Sequence, residues 1–211
     1  MDRRDVLISI SRIHFPVLTL GPGRRIGIWF QGCSIRCTGC VSADTWERER
    51  PMTSVAAVSS LVVGARDRGA TGVTISGGEP FDQPEGLLAL LRELRTAASE
   101  LDVLVYSGYT LDVLRRKQEE SLLLLDAVIS GPFIAGRPTT LPWRGSENQV
   151  LTTSERVRER YAAPPSAMRL QVSVEGGSLW LTGIPERDDL ERFESLMGAE
   201  GVVLREVSWR T

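Results

Sequence analysis

Three cysteines, the only ones in the 211-residue chain, lie within eight residues as Cys33, Cys37 and Cys40. Thiolates are good ligands for zinc and for iron–sulfur clusters. A CxxxCxxC loop brings three thiolates to one centre, whereas iron–sulfur clusters usually take four cysteines. One coordination position would stay open, and open metal sites bind substrate or water while closed ones serve structure. The spacing therefore predicts a metal centre at which chemistry occurs.

The cysteine loop is also compatible with a disulfide, a structural zinc site or an inert group of thiols. A disulfide would pair two of the cysteines and leave the third without a partner. A structural zinc site would need His14, the only histidine, which lies 19 residues before Cys33 and outside the short spacings of zinc modules. The three cysteines alone leave these alternatives open.

A second candidate site is the run Gly77-Gly78-Glu79-Pro80, which follows the β-branched segment 72–76. Glycine has no Cβ, so the backbone can approach a ligand closely at Gly77 and Gly78. Glu79 offers a carboxylate that would accept hydrogen bonds from a cationic group. The alternative is a tight strand-to-helix turn without a ligand, and the four residues alone do not separate the two.

Apolar strand-like runs alternate with helical periodicity through the middle of the chain. The predicted strands are 26–30, 72–76, 102–106 and 127–129, and the predicted helices are 54–68, 84–98 and 111–125. Such alternation predicts an α/β fold with a parallel sheet, open or curled into a partial barrel. Ligand sites on these sheets lie in the loops after the strands. The cysteine loop, the Gly77–Pro80 run, Ser107-Gly108 and Ser130-Gly131 are therefore expected on one rim.

The character of the sequence changes at Pro164-Pro165. The segments 168–174 and 179–181 alternate as strands do, with a Gly-Gly turn between them, 187–197 has helical periodicity, and 202–207 has the composition of a strand. We therefore predict two domains, residues 1–163 and a small C-terminal ββαβ module at 164–211. The module carries no recognisable chemical motif.

Composition restricts the function and the location of the chain. The 25 basic and 27 acidic residues give a net charge of −2, so no general attraction to nucleic acid is expected. No apolar run approaches the ~18 residues that a membrane span needs, and the N-terminus lacks the features of a signal peptide. Clustered cysteines without disulfide partners fit a reducing compartment, so we expect a cytoplasmic protein.

Several ordered stretches resemble the radical S-adenosylmethionine superfamily, and within it the activating enzymes of anaerobic ribonucleotide reductase and other glycyl-radical enzymes. The cysteine loop follows a strand, and Ser76-Gly-Gly-Glu-Pro80 follows the next. The other matching stretches are Gly21-Pro-Gly23, Trp29-Phe-Gln-Gly-Cys33, Asp44-Thr-Trp46, Ile75–Phe81, Gln83-Pro-Glu85, Val105-Tyr-Ser-Gly-Tyr109, Gly131-Pro-Phe133 and Trp143-Arg-Gly-Ser-Glu-Asn-Gln149. They run from about residue 8 to residue 152. Two departures are Ser130, where relatives often have Asp, and the C-terminal module.

The resemblance implies a partial (βα) barrel with a [4Fe-4S] cluster on Cys33, Cys37 and Cys40. The amino and carboxylate groups of S-adenosylmethionine would bind the fourth iron, and one-electron cleavage of the cofactor would give a 5′-deoxyadenosyl radical that abstracts hydrogen. We expect cofactor contacts at Gly77, Gly78, Glu79, Pro80, Ser107 and Asn148. No further catalytic side chain is needed, because cofactors of this kind carry the chemistry.

Three hypotheses about function follow. The first is an enzyme that installs a glycyl radical on a partner such as anaerobic ribonucleotide reductase and takes its electron from a donor such as flavodoxin or ferredoxin. The second keeps the radical chemistry but acts on a peptide or a small metabolite. The third, of another class, is a non-catalytic iron–sulfur or zinc protein.

Overall fold

The fold is described from a computed structural model that covers residues 6–47, 52–163, 168–186, 188–205 and 207. Nine strands and six α-helices lie in these ranges. The strands are β1 (Leu7–Val17), β2 (Arg25–Phe30), β3 (Met52–Ser54), β4 (Gly72–Gly77), β5 (Asp102–Ser107), β6 (Ala127–Ser130), β7 (Val150–Thr153), β8 (Leu170–Glu175) and β9 (Ser178–Gly183). The helices are α1 (Val55–Asp67), α2 (Pro84–Ala97), α3 (Leu111–Lys117), α4 (Glu119–Leu122), α5 (Arg158–Ala162) and α6 (Asp189–Ala199).

Seven strands form one sheet in the order β3-β1-β2-β4-β5-β6-β7. The four central strands, β2, β4, β5 and β6, are parallel neighbours. Every residue of β2 is buried, as expected for a parallel strand covered on both faces. The predicted α/β architecture with a parallel sheet is confirmed, whereas its curvature into a partial barrel stays a prediction.

The helices follow from local sequence signals. The hydroxyl of Ser54 caps α1 by accepting a hydrogen bond from the Ala57 amide at 3.2 Å, and a cap of this kind contributes about 1 kcal/mol. Pro84 stands in the first turn of α2, where its missing N–H has no intrahelical acceptor to lose. Apolar residues of α1, α2 and α3 pack on one face of the sheet, around Ile28 and Phe30. The opposite face carries Trp29, Leu104 and Ile129.

Three strands, β1, β3 and β7, were not predicted. β1 and β7 add antiparallel to the two sides of the parallel core, and β3 adds antiparallel to β1. β1 pairs with both β2 and β3, and β7 pairs with β6. Arg12 and His14 interrupt the apolar pattern of β1. Both side chains turn toward aromatic rings on the other face of the sheet rather than toward water. That tertiary environment was not visible in the sequence.

Two element predictions were wrong in part. The predicted helix 111–125 divides at Gln118 into α3 and α4, because the backbone of Gln118 leaves the helical region at φ −138°. The predicted strand 202–207 is absent among its described residues, 202–205 and 207. α6 ends with a hydrogen bond from the Val202 amide to the Met197 carbonyl, and residues 202–205 and 207 pair with neither β8 nor β9. The other predicted helices and strands are confirmed to within two residues at either end.

β8 and β9 form an antiparallel hairpin that is separate from the large sheet. Gln171 of the hairpin ties it to the main body: its amide donates to Pro16 O at 2.7 Å and accepts from the Leu18 amide at 2.9 Å. Trp180 lies against His14 with ring centroids 4.8 Å apart. The guanidinium of Arg12 is 5.6 Å from the ring centroids of both Trp29 and Trp180. The hairpin, α6 and the described residues after α6 are called the C-terminal module below; the boundary at 163/164 stays a prediction.

No helix in the described ranges is long and apolar enough to cross a membrane.

Candidate metal and cofactor site

The carboxyl ends of the parallel strands bring the predicted site residues to one rim. Phe30, the last residue of β2, pairs with Gly77 of β4, and Ser107 of β5 pairs with Ser130 of β6. The loops that follow these strands contain the cysteines, Glu79, Gly108 and Gly131. The expected convergence of these loops is therefore confirmed.

The cysteine loop opens into a cavity of about 1060 Å³. Cys33, Cys37 and Cys40 all line the cavity, and all three are free thiols that are partly exposed. The start of the loop is held by backbone hydrogen bonds from Gly32 to Thr45 O at 2.8 Å and from Cys33 to Trp46 O at 3.1 Å. The sulfur atoms therefore face a space large enough for a bound group, on a loop whose base is fixed.

Burial raises the pKa of all three thiols. Hydrogen bonding from nearby donors opposes the rise: backbone amides of Ile35 and Arg36 act on the Cys33 sulfur, and the Phe133 backbone acts on Cys37. Donors of this kind stabilise a thiolate once a metal supplies positive charge. The indole of Trp46 acts similarly on Cys40, although its Nε1–H closes no hydrogen bond in the described part of the chain.

The spacing of the thiols bears on the kind of metal. No three cysteine, histidine or carboxylate side chains among the described residues converge on a single ion. In a mononuclear zinc site the four ligands surround one atom. In a [4Fe-4S] cluster the cysteines bind different irons, so they need not converge on one point. The donor set fits such a cluster with one iron left without a cysteine.

Glu79 is the most perturbed carboxylate of the rim. Its side chain is 1% exposed, and burial raises its pKa to about 7. Oε1 accepts hydrogen bonds from Ser107 Oγ at 2.9 Å and the Phe81 amide at 3.1 Å, and Oε2 accepts from the Gly108 amide at 2.7 Å. No described arginine, lysine or histidine forms an ion pair with it, and it lines the cavity. Its environment suits a cationic ligand group, which would compensate the buried charge.

The two glycines before Glu79 lie against the cysteine loop itself. A Cβ on Gly78 would stand 2.1 Å from Gly32 O, and a Cβ on Gly77 would stand 2.5 Å from the backbone N and O of Phe30. Gly77 also has φ +101°, which strains any residue with a Cβ. The Glu79 amide donates to Gly32 O at 2.8 Å. Close backbone approach was predicted for a ligand, and what the glycines approach here is the loop that carries the cysteines.

The remaining predicted contacts differ in position. Ser107 lines the cavity, as do Gly77 and Gly78. Pro80 is buried outside the lining and begins the short turn in which the Glu79 side chain accepts the Phe81 amide. Asn148 is also outside the lining. Its amide donates to Pro132 O at 2.8 Å, and its Oδ1 is buried with no partner in the described ranges.

One network at the rim was not predicted. Asp82 accepts hydrogen bonds from the Ser34 amide at 2.7 Å, from Ser34 Oγ at 3.0 Å and from the Tyr109 hydroxyl at 2.7 Å. It thereby joins the loops after β2, β4 and β5 next to Cys33. Tyr109 belongs to a stretch that matches the superfamily, which is a signal of importance, but no local pattern pairs it with Asp82.

Comparison with known proteins bears on the identity of this arrangement. A family model described as "4Fe-4S single cluster domain" matches residues 19–152. The anaerobic ribonucleoside-triphosphate reductase-activating protein of Escherichia coli K12 is 30% identical over 148 residues, which are 65% of this chain and 94% of that protein. The chain belongs to this 4Fe-4S single-cluster family, within the radical S-adenosylmethionine superfamily. It is an enzyme, and its cofactors are a [4Fe-4S] cluster and S-adenosylmethionine.

Further relatives of this radical S-adenosylmethionine enzyme share the likeness. The protein of the same name from enterobacteria phage T4 is 31% identical over 68% of this chain and 93% of its own length. The pyruvate formate-lyase-activating enzyme of Clostridium pasteurianum is 40% identical over 41% of this chain and 38% of its own length. The family match ends at residue 152, so the C-terminal module lies beyond it.

Proposed function

We propose that this enzyme installs a glycyl radical on a partner enzyme such as an anaerobic ribonucleotide reductase. The observation that carries the proposal is the agreement between site and relatives. Three free thiols and a buried carboxylate with no cation beside it among the described residues face one cavity. Activating proteins of such reductases align with this chain over nearly their whole length. When bound, the cluster and S-adenosylmethionine supply a carbon-centred radical by one-electron cleavage of a sulfonium bond.

In this proposal Cys33, Cys37 and Cys40 would hold three irons of the cluster, and the fourth iron would have no cysteine ligand. The backbone amides near the sulfur atoms of Cys33 and Cys37 would stabilise the thiolates. No side chain acts as an acid or base, because hydrogen-atom abstraction moves the proton and electron together.

The residues after β4 and β5 orient the cofactor. Glu79 would accept a hydrogen bond from its amino group, and Ser107 and the Gly108 amide hold the Glu79 carboxylate in place. Gly77 and Gly78 set the distance between Glu79 and the cysteine loop. Pro80 acts through Glu79 by beginning the turn that follows it. The unpartnered Oδ1 of Asn148 is an acceptor for a ligand hydroxyl or for water.

The remaining expectations belong to the same proposal. The sheet curls into a partial barrel, residues 1–163 form the radical domain, and 164–211 form an appended domain. A flavodoxin or ferredoxin supplies the electron, and the enzyme acts in the cytoplasm. A reducing compartment suits free thiols and a cluster.

The test combines two measurements under anaerobic conditions with the reconstituted, reduced enzyme. The first is 5′-deoxyadenosine formed from S-adenosylmethionine, measured by mass-resolved chromatography. The second is the electron paramagnetic resonance signal of a glycyl radical on a co-purified anaerobic ribonucleotide reductase. We expect both, and we expect both to disappear with Cys37→Ala. If S-adenosylmethionine is cleaved but no protein radical forms, and a peptide or metabolite extract increases the cleavage, the substrate would be a smaller molecule rather than a protein.

A further inference from the structure

The residues that follow the cysteine loop contact both ends of that loop. They are the short helical turn Ala43–Thr45 and Trp46 after it. The Trp46 carbonyl accepts the Cys33 amide at 3.1 Å, and the Trp46 indole lies beside the Cys40 sulfur. The position of residues 43–46 therefore affects where the first and the last cysteine lie.

Asp44 joins residues 43–46 to β1. Its carboxylate forms an ion pair with the Arg12 guanidinium, and its backbone carbonyl accepts a hydrogen bond from the Gln31 side chain at 3.2 Å. Exposed ion pairs usually contribute little, because water screens them and two long side chains lose their freedom. The Arg12 side chain is only 14% exposed, so this pair differs from a pair on the open surface.

Two tryptophan rings fix the guanidinium of Arg12. It lies 5.6 Å from the ring centroid of Trp29 and 5.6 Å from that of Trp180. A guanidinium is attracted to the face of an aromatic ring and stacks on it. Trp29 is a buried residue of β2, whereas Trp180 belongs to β9, beyond the family match that ends at residue 152. The partner of Asp44 is therefore held in part by the C-terminal module.

The hairpin holds Trp180 in this position through its neighbours. Gln171 pairs with Thr182 across the hairpin, and alternate residues of a strand share a face, so Gln171 and Trp180 point the same way. Gln171 makes the two hydrogen bonds to the main body that are given above. Ile184, directly after β9, packs in the buried group around Trp29. Contacts on both sides of Trp180 thus fix its ring against Arg12.

We propose that the C-terminal module supports the cysteine loop. Trp180 holds the Arg12 guanidinium against Trp29, and Arg12 holds Asp44, whose segment contacts Cys33 and Cys40. Arg12, Asp44 and Trp180 are positioning residues that act through the loop. The proposal rests on the assignment of the three cysteines as cluster ligands in the proposed function, but not on which molecule receives the radical.

The first experiment measures hydrogen exchange of the Cys33 amide by nuclear magnetic resonance, in the full-length chain before the cluster is reconstituted. Asp44→Ala removes the ion pair, and Trp180→Leu removes the ring but keeps an apolar side chain on the hairpin. Local opening of the loop should become more frequent, so exchange should be about tenfold faster with Asp44→Ala and about fivefold faster with Trp180→Leu. Trp180→Phe, which keeps a ring for Arg12, should exchange within about twofold of the unchanged chain.

Each change has a matched control. Glu47→Gln removes an ion pair with Arg36, 3.0 Å long and exposed on both sides, beside the same loop. Val172→Ala alters the hairpin on the face opposite to Gln171. Both controls should exchange as the unchanged chain does, and unchanged exchange of the β4 amides, 72–77, shows that the sheet is intact in every variant.

Combining the two changes tests whether the residues act in series. If Trp180 acts through Asp44, the double variant should exchange no more than about twofold faster than Asp44→Ala alone. Independent contacts would multiply to about fiftyfold.

The second readout uses the cluster-loaded enzyme under anaerobic conditions. Iron captured by a chelator should appear about tenfold faster with Asp44→Ala and about fivefold faster with Trp180→Leu, because a ligand loop that opens more often releases its metal more often. Trp180→Phe and the two controls should release iron at the unchanged rate.

Three results would overturn the inference: unchanged Cys33 exchange with Trp180→Leu, equal effects of Asp44→Ala and Glu47→Gln, or a fiftyfold effect of the double variant. The expected exchange rates without any glycyl radical on the reductase would overturn the proposed function and leave this inference standing. A glycyl radical together with unchanged exchange in every variant would do the reverse.

Discussion

Buried carboxylates at the two ends of the parallel strands differ in whether they have a positively charged partner. At the edge where the strands begin, Asp102 binds Arg25 at 2.8 Å, Arg160 at 2.7 Å and the hydroxyl of Tyr161 at 2.6 Å. Asp126, just before β6, binds Arg95 and Arg156 in the same manner. At the edge where the strands end, Glu79 is equally buried and has no cation among the described residues.

This difference indicates that the paired carboxylates stabilise the fold, whereas Glu79 serves the site. A buried carboxylate that already has its cation holds the fold together, and removing either partner leaves a charge without compensation. A buried carboxylate without a cation is costly to ionise, which the raised pKa of Glu79 expresses. The buried carboxylates where the strands begin are therefore paired with arginines of the protein, whereas Glu79, where the strands end, can gain a positive partner only from a ligand.

The largest effect is expected at the ligand edge. Cys37→Ala removes one of three thiols, so iron content after reconstitution should fall and 5′-deoxyadenosine formation should drop to background. Thr38→Ala, a change in the same loop, should leave both unchanged. Iron loading equal to that of the unchanged enzyme would show that Cys37 is not a ligand.

At the opposite edge the expected loss is in stability. Asp102→Asn deprives the fully buried Arg25 of its carboxylate, and the free energy of unfolding in urea should fall by roughly 3–5 kcal/mol. Asp112→Asn, which disrupts an exposed pair with Arg115, should cost at most about 0.5 kcal/mol. Equal losses for the two variants would remove the contrast between buried and exposed pairs.

The third prediction concerns pH. Because the pKa of Glu79 is about 7, the neutral acid predominates below pH 7 and the carboxylate above it. The carboxylate attracts the positive sulfonium and accepts a hydrogen bond from the amino group, so the affinity for S-adenosylmethionine should rise from about pH 6 to about 7.5. Calorimetric titration should show this rise, and Glu79→Gln should abolish it. A rise that persists in Glu79→Gln assigns it to another group.

The smallest effect is expected at Ser107. Ser107→Ala removes one hydrogen bond to the Glu79 carboxylate, which contributes about 1.5 kcal/mol. Since one pKa unit corresponds to about 1.36 kcal/mol, the pH midpoint for ligand binding should move upward by about one unit. An unmoved midpoint would indicate that the Gly108 and Phe81 amides alone set the pKa of Glu79.

The helix starts and the buried parallel strands were predicted correctly, because short-range sequence signals determine them. Ser54 and Pro84 marked helix starts correctly, and the buried runs 26–30 and 102–106 became parallel strands. The carboxyl-end rule then placed the cysteines and Glu79 on one rim.

Contacts between distant parts of the chain could not be predicted in this way. The Ser9 amide of β1 donates to Gln83, 74 positions further along the chain, and Asp82 accepts from Ser34 across 48 positions. Such pairings depend on how the elements pack, and they have no signature in a single sequence.

The C-terminal module shows the same limit. The hairpin was predicted from alternation and its Gly-Gly turn, but 202–207 has strand composition without a strand to pair with. Its described apolar residues line the cavity instead. Apolar composition indicates that such a segment will be partly buried, but the elements that it packs against depend on the tertiary structure.

The contact between Gly78 and Gly32 has a consequence for how this site can change over time. Two backbones meet where a single methyl group would not fit, so the gap between the metal loop and the carboxylate is measured in peptide units rather than in side chains. Substitutions elsewhere on the rim can change its charge, polarity or access, but they do not change the distance between the cysteine loop and Glu79. This backbone contact therefore fixes how far Glu79 lies from the loop that carries the cysteines, whatever side chains occupy the rest of the rim.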